Sequence, residues 1–305
     1  MRIFLAVILL LLIGAAVLLY TPDARRAVLE AKYREAGAGY VDVAGIALRV
    51  VDTGPRDGPV VIMLHGFGSS LQTYDALADA LSAKLRVIRF DLPGFGLTGA
   101  DPTGDYADSR SLLIMGGLMD RLGVARASFI GNSMGGRLAW MFAAGFPARV
   151  EKLVLISPDG FASAGFAYGR APEVPWMLRL LPYILPKAML RMTLAPAYAD
   201  PRRLSAALVT RYWDFMRAPG VRQAIIDRTS QTILEDPVPL LRKIEAPTLL
   251  LWGEKDGMIP ISNAANYMAA LPHATLLRLP GLGHVPQEES PGSIIPAIKD
   301  FLAPK

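Results

Sequence analysis

The chain of 305 residues predicts an α/β fold, with a mostly parallel eight-stranded sheet, helices on both faces and one helical insertion. Three observations carry that reading. Apolar runs of strand length alternate along the chain with segments of helical periodicity. The runs are unbroken rather than alternating, as strands buried on both faces require. A single interval of 87 residues, 159–245, interrupts the rhythm.

The chain opens on "IFLAVILLLLIGAAVLLY" (3–20), eighteen apolar or small residues without a charge. As a helix this run would reach roughly 27 Å, close to the hydrocarbon thickness of a bilayer. A cleaved secretory signal is the rival reading. Its apolar region would be shorter and a small-x-small site would follow, whereas "LLYTPDARR" offers none. Residues 1–20 are therefore expected to be an uncleaved membrane anchor. Arg25, Arg26, Lys32 and Arg34 outnumber Arg2 across it, which leans by a small margin toward a cytoplasmic catalytic domain. Residues 21–38 read as a polar linker with helical character in Ala24 to Ala36.

The core is expected at 39–158 and 246–305. "YVDVAGIALRVVDTG" alternates about an Ala-Gly turn and predicts a hairpin. "PVVIMLHG" (59–66) is a buried strand, followed by a helix near Leu71 to Ser82. "KLRVIRFDLPGFG" (84–96) repeats strand and glycine loop, and a helix over Ala107 to Leu122 leads to a strand at Arg126 to Ile130. "KLVLISP" (152–158), "APTLLLWG" (246–253) and "ATLLRLPG" (274–281) complete the sheet, and "SIIPAIKDFL" closes it with a helix. A crossover needs only about a dozen residues, so most of 159–245 is insertion. Its short helices, rich in Met and aromatic residues, predict a lid, with Trp176, Met177 and Trp213 as candidates to meet substrate.

Composition narrows the function. Hydrophobic residues make up 52% of the chain, enough for a sizeable core. The net charge is +5, of which 159–245 carries +4, twelve Lys or Arg against eight Asp or Glu. Such a segment suits an ordinary solvated surface, or one near anionic lipid. No run of Lys and Arg suggests nucleic acid as a partner. The absence of cysteine excludes a thiolate nucleophile and disulfides, and three scattered histidines offer no metal ligand set. No cofactor is implied.

The chemistry centres on "FIGNSMGGRLAW" (129–140). Gly131-Asn132-Ser133-Met134-Gly135 is a G-x-S-x-G between a predicted strand and a predicted helix. That corner holds a serine strained and exposed, while the glycines let strand and helix approach. A serine nucleophile needs a base. His284, in the glycine-rich loop "PGLGHVPQEE" after the last strand, lies where parallel sheets form sites. His65 suits a loop-shaping role and His273 a surface position. Asp256, in "WGEKDGMIP", is the acid expected to orient His284, with Glu254 and Asp159 in reserve. The backbone amides of Phe67, in "HGFG", and Met134 are expected to face the developing oxyanion.

"HGFG", "DLPGFGLT", "GNSMGG", "WGEKDGMIP" and "GLGH" together resemble the α/β-hydrolases from about Tyr40 to Leu302, with a lid after the sixth strand. The serine at the elbow departs from the dehalogenases and epoxide hydrolases of that superfamily, which carry aspartate. "GNSMGG" is similar to the carbon–carbon hydrolases of aromatic meta-cleavage products, but those carry tryptophan where this chain has Val285. Anchor, "SMGG" and Met-rich lid look like the membrane-anchored monoacylglycerol lipases. The resemblance implies a serine hydrolase of ester or lipid substrates at a bilayer, with Val285 lining the substrate site. A carbon–carbon hydrolase, a perhydrolase and a non-catalytic binding protein of the same fold are the alternatives.

Overall fold

Eight strands form one sheet in the order β1-β2-β4-β3-β5-β6-β7-β8. They are β1 (Ala38–Val43), β2 (Ile46–Thr53), β3 (Val60–Leu64), β4 (Arg86–Phe90), β5 (Ala127–Asn132), β6 (Val150–Ile156), β7 (Thr248–Gly253) and β8 (Ala274–Leu279). The β1–β2 and β2–β4 pairs are antiparallel and every other pair is parallel. The computed structural model describes residues 17–163 and 166–303, with Met1, Phe4 and Gly14. Most of the expected anchor, 1–20, lies outside the described residues. Among those described, no helix is long and apolar enough to cross a membrane.

The unbroken apolar runs follow from a sheet covered twice. In β3, Ile62 and Leu64 join one core with Phe90, Phe129 and Trp252, while Val61 and Met63 join another with Ile130 and Leu251. Helices α2 (Asp75–Leu81) and α11 (Pro291–Leu302) cover the second face with Leu77, Leu81, Ile294 and Ile298. Helices α3 (Asp108–Arg121), α4 (Met134–Gly145) and α9 (Asn263–Ala270) cover the first with Ile114, Leu118, Leu138, Phe142 and Tyr267. The helix expected near Leu71 begins instead as a 3-10 turn, Leu71–Tyr74. There Asp91 draws the Leu71 amide to its Oδ1 at 2.8 Å.

The insertion between β6 and β7 folds as short pieces: α5 (Lys187–Leu194), α6 (Ala206–Met216), α7 (Val221–Gln231) and α8 (Val238–Leu241), with 3-10 turns among them. Prolines at 186, 196, 201, 219 and 237 separate these pieces. Arg228 of α7 is fully buried between the rings of Phe95 and Tyr106. It donates to the carbonyls of Pro93 and Tyr106, which bolts this part of the insertion to the loop after β4.

Residues 21–38 are more than a tether. Helix α1 (Arg26–Lys32) and its flanks are held to the insertion. The Asp23 carboxylate accepts from Arg222 at 2.6 Å, and Lys32 and Tyr33 both donate to Asp214, at 2.5 and 2.7 Å.

Candidate active site

Ser133 stands at the end of β5 with φ 54° and ψ −121°, one of few non-glycine residues in positive φ. Such a conformation costs of order 1–3 kcal/mol and survives only where its surroundings enforce it. Here they do. The Ser133 amide donates to the Ile156 carbonyl at 3.0 Å, and its own carbonyl accepts from Arg137 and Asp159. The flanking glycines are needed for close approach. A Cβ at Gly131 would lie 2.4 Å from the Gly135 carbonyl oxygen, and one at Gly135 only 2.1 Å from that of Leu64.

The loop 65–68 rides against this corner. A Cβ on Gly66 would come within 3.4 Å of the Ser133 Cβ. Among the described residues, neither the Phe67 nor the Met134 amide donates to a protein acceptor, so both are available to a ligand atom. His65 shapes the loop, as its position suggested. Its Nδ1 donates to the Gly66 carbonyl at 2.8 Å, while Nε2 accepts the Leu92 amide at 3.0 Å. With both nitrogens occupied the ring must be neutral, and burial lowers its pKa to about 4.

His284 follows β8, and Asp256 follows β7. The His284 Nδ1 lies 2.8 Å from the Asp256 Oδ2, and the side chains are 5% and 0% exposed. The other oxygen, Oδ1, accepts the Met258 and Ile259 amides, each at 2.8 Å. The carboxylate oxygen is the acceptor of this pair, so Nδ1 is its donor and Nε2 is the ring nitrogen left for other work. The backbone of His284 is clamped as well. Its amide donates to the Ala197 carbonyl at 2.7 Å, and its carbonyl accepts the Asn132 Nδ2 at 3.0 Å. Asn132 therefore ties the base loop to the residue beside Ser133, a role its place in the motif did not announce.

Neither reserve acid touches His284. Glu254 pairs with Arg278 at 2.9 Å, and Asp159 lies 3.6 Å from Arg137. His273 sits at the surface beside Glu245.

Ser133, His284, Phe67 and Val285 line one cavity of about 170 Å³. The insertion closes it with Leu190, Leu194, Tyr212, Met216 and Ile225. The expected contacts Trp176, Met177 and Trp213 are not among the residues that line this cavity. Trp176 and Met177 face outward, 72% and 64% exposed. Trp213 donates from its indole to the Leu185 carbonyl at 2.7 Å, with Lys187 and Arg217 over its ring.

Beside the cavity lies a buried polar cluster that sequence reasoning missed. Tyr198 and Tyr212 both donate to the Glu288 Oε2, at 2.5 and 3.2 Å, and Arg211 holds Oε1. Burial, with Glu288 close by, pushes both phenols well above their ordinary range, so they stay protonated. Glu289 caps the amides of Gly283 and Asp200 at 2.8 and 3.1 Å. The only sequence signal was a pair of acids in a loop otherwise poor in charge.

A strained serine, a buried imidazole paired with a carboxylate and the Phe67 loop thus meet at one cavity on an α/β scaffold. The chain belongs to the alpha/beta hydrolase fold family, whose model matches residues 59–291. It is 30% identical over 254 residues to a 2-hydroxy-6-oxo-6-phenylhexa-2,4-dienoate hydrolase of Burkholderia cepacia, covering 81% of this chain and 88% of that protein. Among solved structures, a membrane phospholipase A described as a bacterial virulence factor superposes with a TM-score of 0.71 at 26% identity, over 99% of this chain and 97% of that one. A putative lipase from Acinetobacter baumannii AYE shares the fold with a TM-score of 0.75 at 23% identity, over 92% of this chain and 97% of that one.

Proposed function

We propose that this hydrolase cleaves carboxylic esters with apolar acyl chains, using Ser133 as nucleophile. His284 would take the serine proton as Ser133 attacks the carbonyl, then return it to the leaving alcohol. Asp256 holds the imidazole in the productive tautomer, and the Phe67 and Met134 amides stabilise the oxyanion. Water activated by His284 then releases the acid.

The observation that carries this reading is the lining of the cavity. Leu190, Leu194, Met216, Ile225, Met258 and Val285 surround the serine, and no Lys or Arg is among the lining residues. The carbon–carbon alternative has the Burkholderia relative in its favour. That relative acts on a dienoate, however, and a buried carboxylate without a cationic partner is costly. Val285, where the resemblance expects tryptophan, weighs the same way. The test is fluorophosphonate labelling followed by an ester panel graded by acyl length. Turnover of a dienoate with none of any ester would transfer the protein to the alternative.

We further propose that residues 3–20 anchor the chain in a bilayer, which would supply lipid-derived esters. The apolar run supports this, as does the likeness to a membrane phospholipase A that extends over 99% of the chain. If the full chain were released from membranes by alkaline carbonate, the anchor would be excluded.

A further inference from the structure

The active-site cavity has one polar pole besides the reacting groups. Of its lining residues, Asn132 donates from its side chain to the Ile156 and His284 carbonyls, and Thr193 donates its hydroxyl proton to the Met189 carbonyl. Ser69 and Tyr212 remain. Tyr212 can donate its proton to Glu288 at 3.2 Å, which leaves the phenol oxygen able to accept toward the cavity. Ser69, half-buried in the loop after Phe67, faces it with a hydroxyl that can both donate and accept.

Their oxygens lie 3.4 Å apart. That is long for two hydroxyls, which ordinarily settle at about 2.7–2.8 Å. With so weak a bond between them, both oxygens can turn to a third hydroxyl on the cavity side, which donates to Tyr212 and exchanges a bond with Ser69. Glu288 helps hold the phenol in place, since Arg211 fixes its Oε1 and Tyr198 shares its Oε2.

We infer that Ser69 and Tyr212 form a hydroxyl-recognition site, and that the enzyme prefers esters carrying a free hydroxyl near the scissile bond or at the far end of the cavity. The inference rests on the ester-hydrolase reading and adds which esters are chosen. A hydroxyl of this kind could come from a polyol leaving group such as glycerol or from a hydroxylated acyl chain. The two share the same recognition chemistry.

The experiment compares three substrates of one medium acyl length: the ethyl ester, the glycerol monoester, and the ethyl ester of the ω-hydroxy acid. In the unaltered enzyme kcat/KM for at least one hydroxylated ester should exceed that for the plain ethyl ester by roughly tenfold, the worth of one good neutral hydrogen bond. Which one does so identifies the source of the hydroxyl. Tyr212→Phe and Ser69→Ala should each bring that ratio close to one, and a purely structural role would lower all three rates together. Should Tyr212→Phe fail to fold, Ser69→Ala decides alone. A ratio near one in the unaltered enzyme, or one that survives Ser69→Ala, overturns the inference while leaving ester hydrolysis standing. If no ester is turned over at all, the reading beneath it fails first.

Discussion

The Asp256 carboxylate divides its two oxygens between separate tasks. Oδ2 faces the His284 Nδ1 at 2.8 Å, and Oδ1 takes the amides of Met258 and Ile259 at 2.8 Å each. The amides fix the carboxylate on its own loop, so the imidazole inherits a fixed acceptor. Asp256→Asn would keep the shape and present a donor to Nδ1, favouring the wrong tautomer. In a serine protease the same change to the triad aspartate costs about 10⁴-fold in kcat, and a loss of that order is expected here. Glu254→Gln, which loses only a surface pair with Arg278, should be nearly silent. Steady-state kinetics of the two variants on one ester decide this, and the reverse pattern would move the acid to Glu254.

Ser133→Ala should abolish ester turnover and fluorophosphonate labelling while leaving the melting temperature unchanged or raised. The side chain is half-buried and takes part in no side-chain hydrogen bond among the described residues. Its removal therefore costs little packing. His284→Ala should be equally inactive, since triad members act as a unit. Inactivation by His273→Ala instead would refute the assignment of the base.

The elbow glycines answer to a steric test. Gly131→Ala would push a methyl to 2.4 Å from the Gly135 carbonyl oxygen, against backbone that cannot yield without moving the strand or helix. A loss above about 3 kcal/mol is expected from this overpacking. Gly145→Ala, at the far end of α4, meets nothing within 4 Å and should change stability little. Chemical denaturation of both variants measures the contrast, and equal midpoints would contradict the close packing at the corner.

How far the sequence disclosed this molecule depends on which forces were local. The inner strands β3 to β7 were legible because burial on both faces leaves a continuous apolar run, the β1–β2 hairpin by its alternation, and Ser133 because its corner demands glycines at fixed spacing. The role of residues 21–38 was not. Lys32 and Asp214 stand 182 residues apart, and Asp23 and Arg222 199 apart. Composition alone reads such charges as solvated. The cavity lining was missed for a related reason. In short, proline-bounded helices the facing of a side chain is set by tertiary packing, so Trp176 turns outward while Leu190 and Met216 reach the site.

His65 makes a pH prediction with a definite sign. Burial lowers its folded pKa to about 4 from an ordinary 6.5. Above pH 6.5 the ring is neutral in both states and contributes no pH dependence. As pH falls from 6.5 toward 4 the unfolded chain gains a proton that the folded chain refuses, so stability drops, by roughly 3 kcal/mol at the full shift. Asp91 acts oppositely, because burial raises its pKa to about 6 and its contribution is lost as pH rises from 3.8 through 6. The two partly cancel in a whole-chain melt. NMR of the imidazole separates them: the His65 ring resonances should keep their neutral positions down to about pH 5. A midpoint near 6.5 would mean that the ring is solvated and the loop less tightly closed.

The last prediction concerns the amino terminus, which meets the insertion at the point where the apolar run ends. Tyr20 bridges Ile184, the Thr21 amide donates to the Tyr183 carbonyl at 2.8 Å, and Arg222 reaches both the Thr21 carbonyl and Asp23 at 2.6 Å. Two truncations should therefore behave differently. A chain lacking residues 1–19 keeps every one of these contacts. It should retain its melting temperature and its activity on soluble short esters, and lose its advantage on esters presented in vesicles. A chain lacking residues 1–25 leaves the guanidinium of Arg222, only 3% exposed, without Asp23. Asp23 is itself nearly half exposed, so the loss falls below that of a fully buried pair, at about 1–3 kcal/mol. That corresponds to a fall of several degrees in Tm for a domain of this size. Activity on soluble esters should fall with it, because α6 and α7 supply Tyr212, Met216 and Ile225 to the cavity. Within the acyl series, each buried methylene should raise the efficiency of the full chain by up to about 0.8 kcal/mol until the cavity is filled. Equal melting temperatures for the two truncations would show that residues 20–25 do not hold the insertion, and an efficiency peaking at acetate would remove the apolar-chain preference.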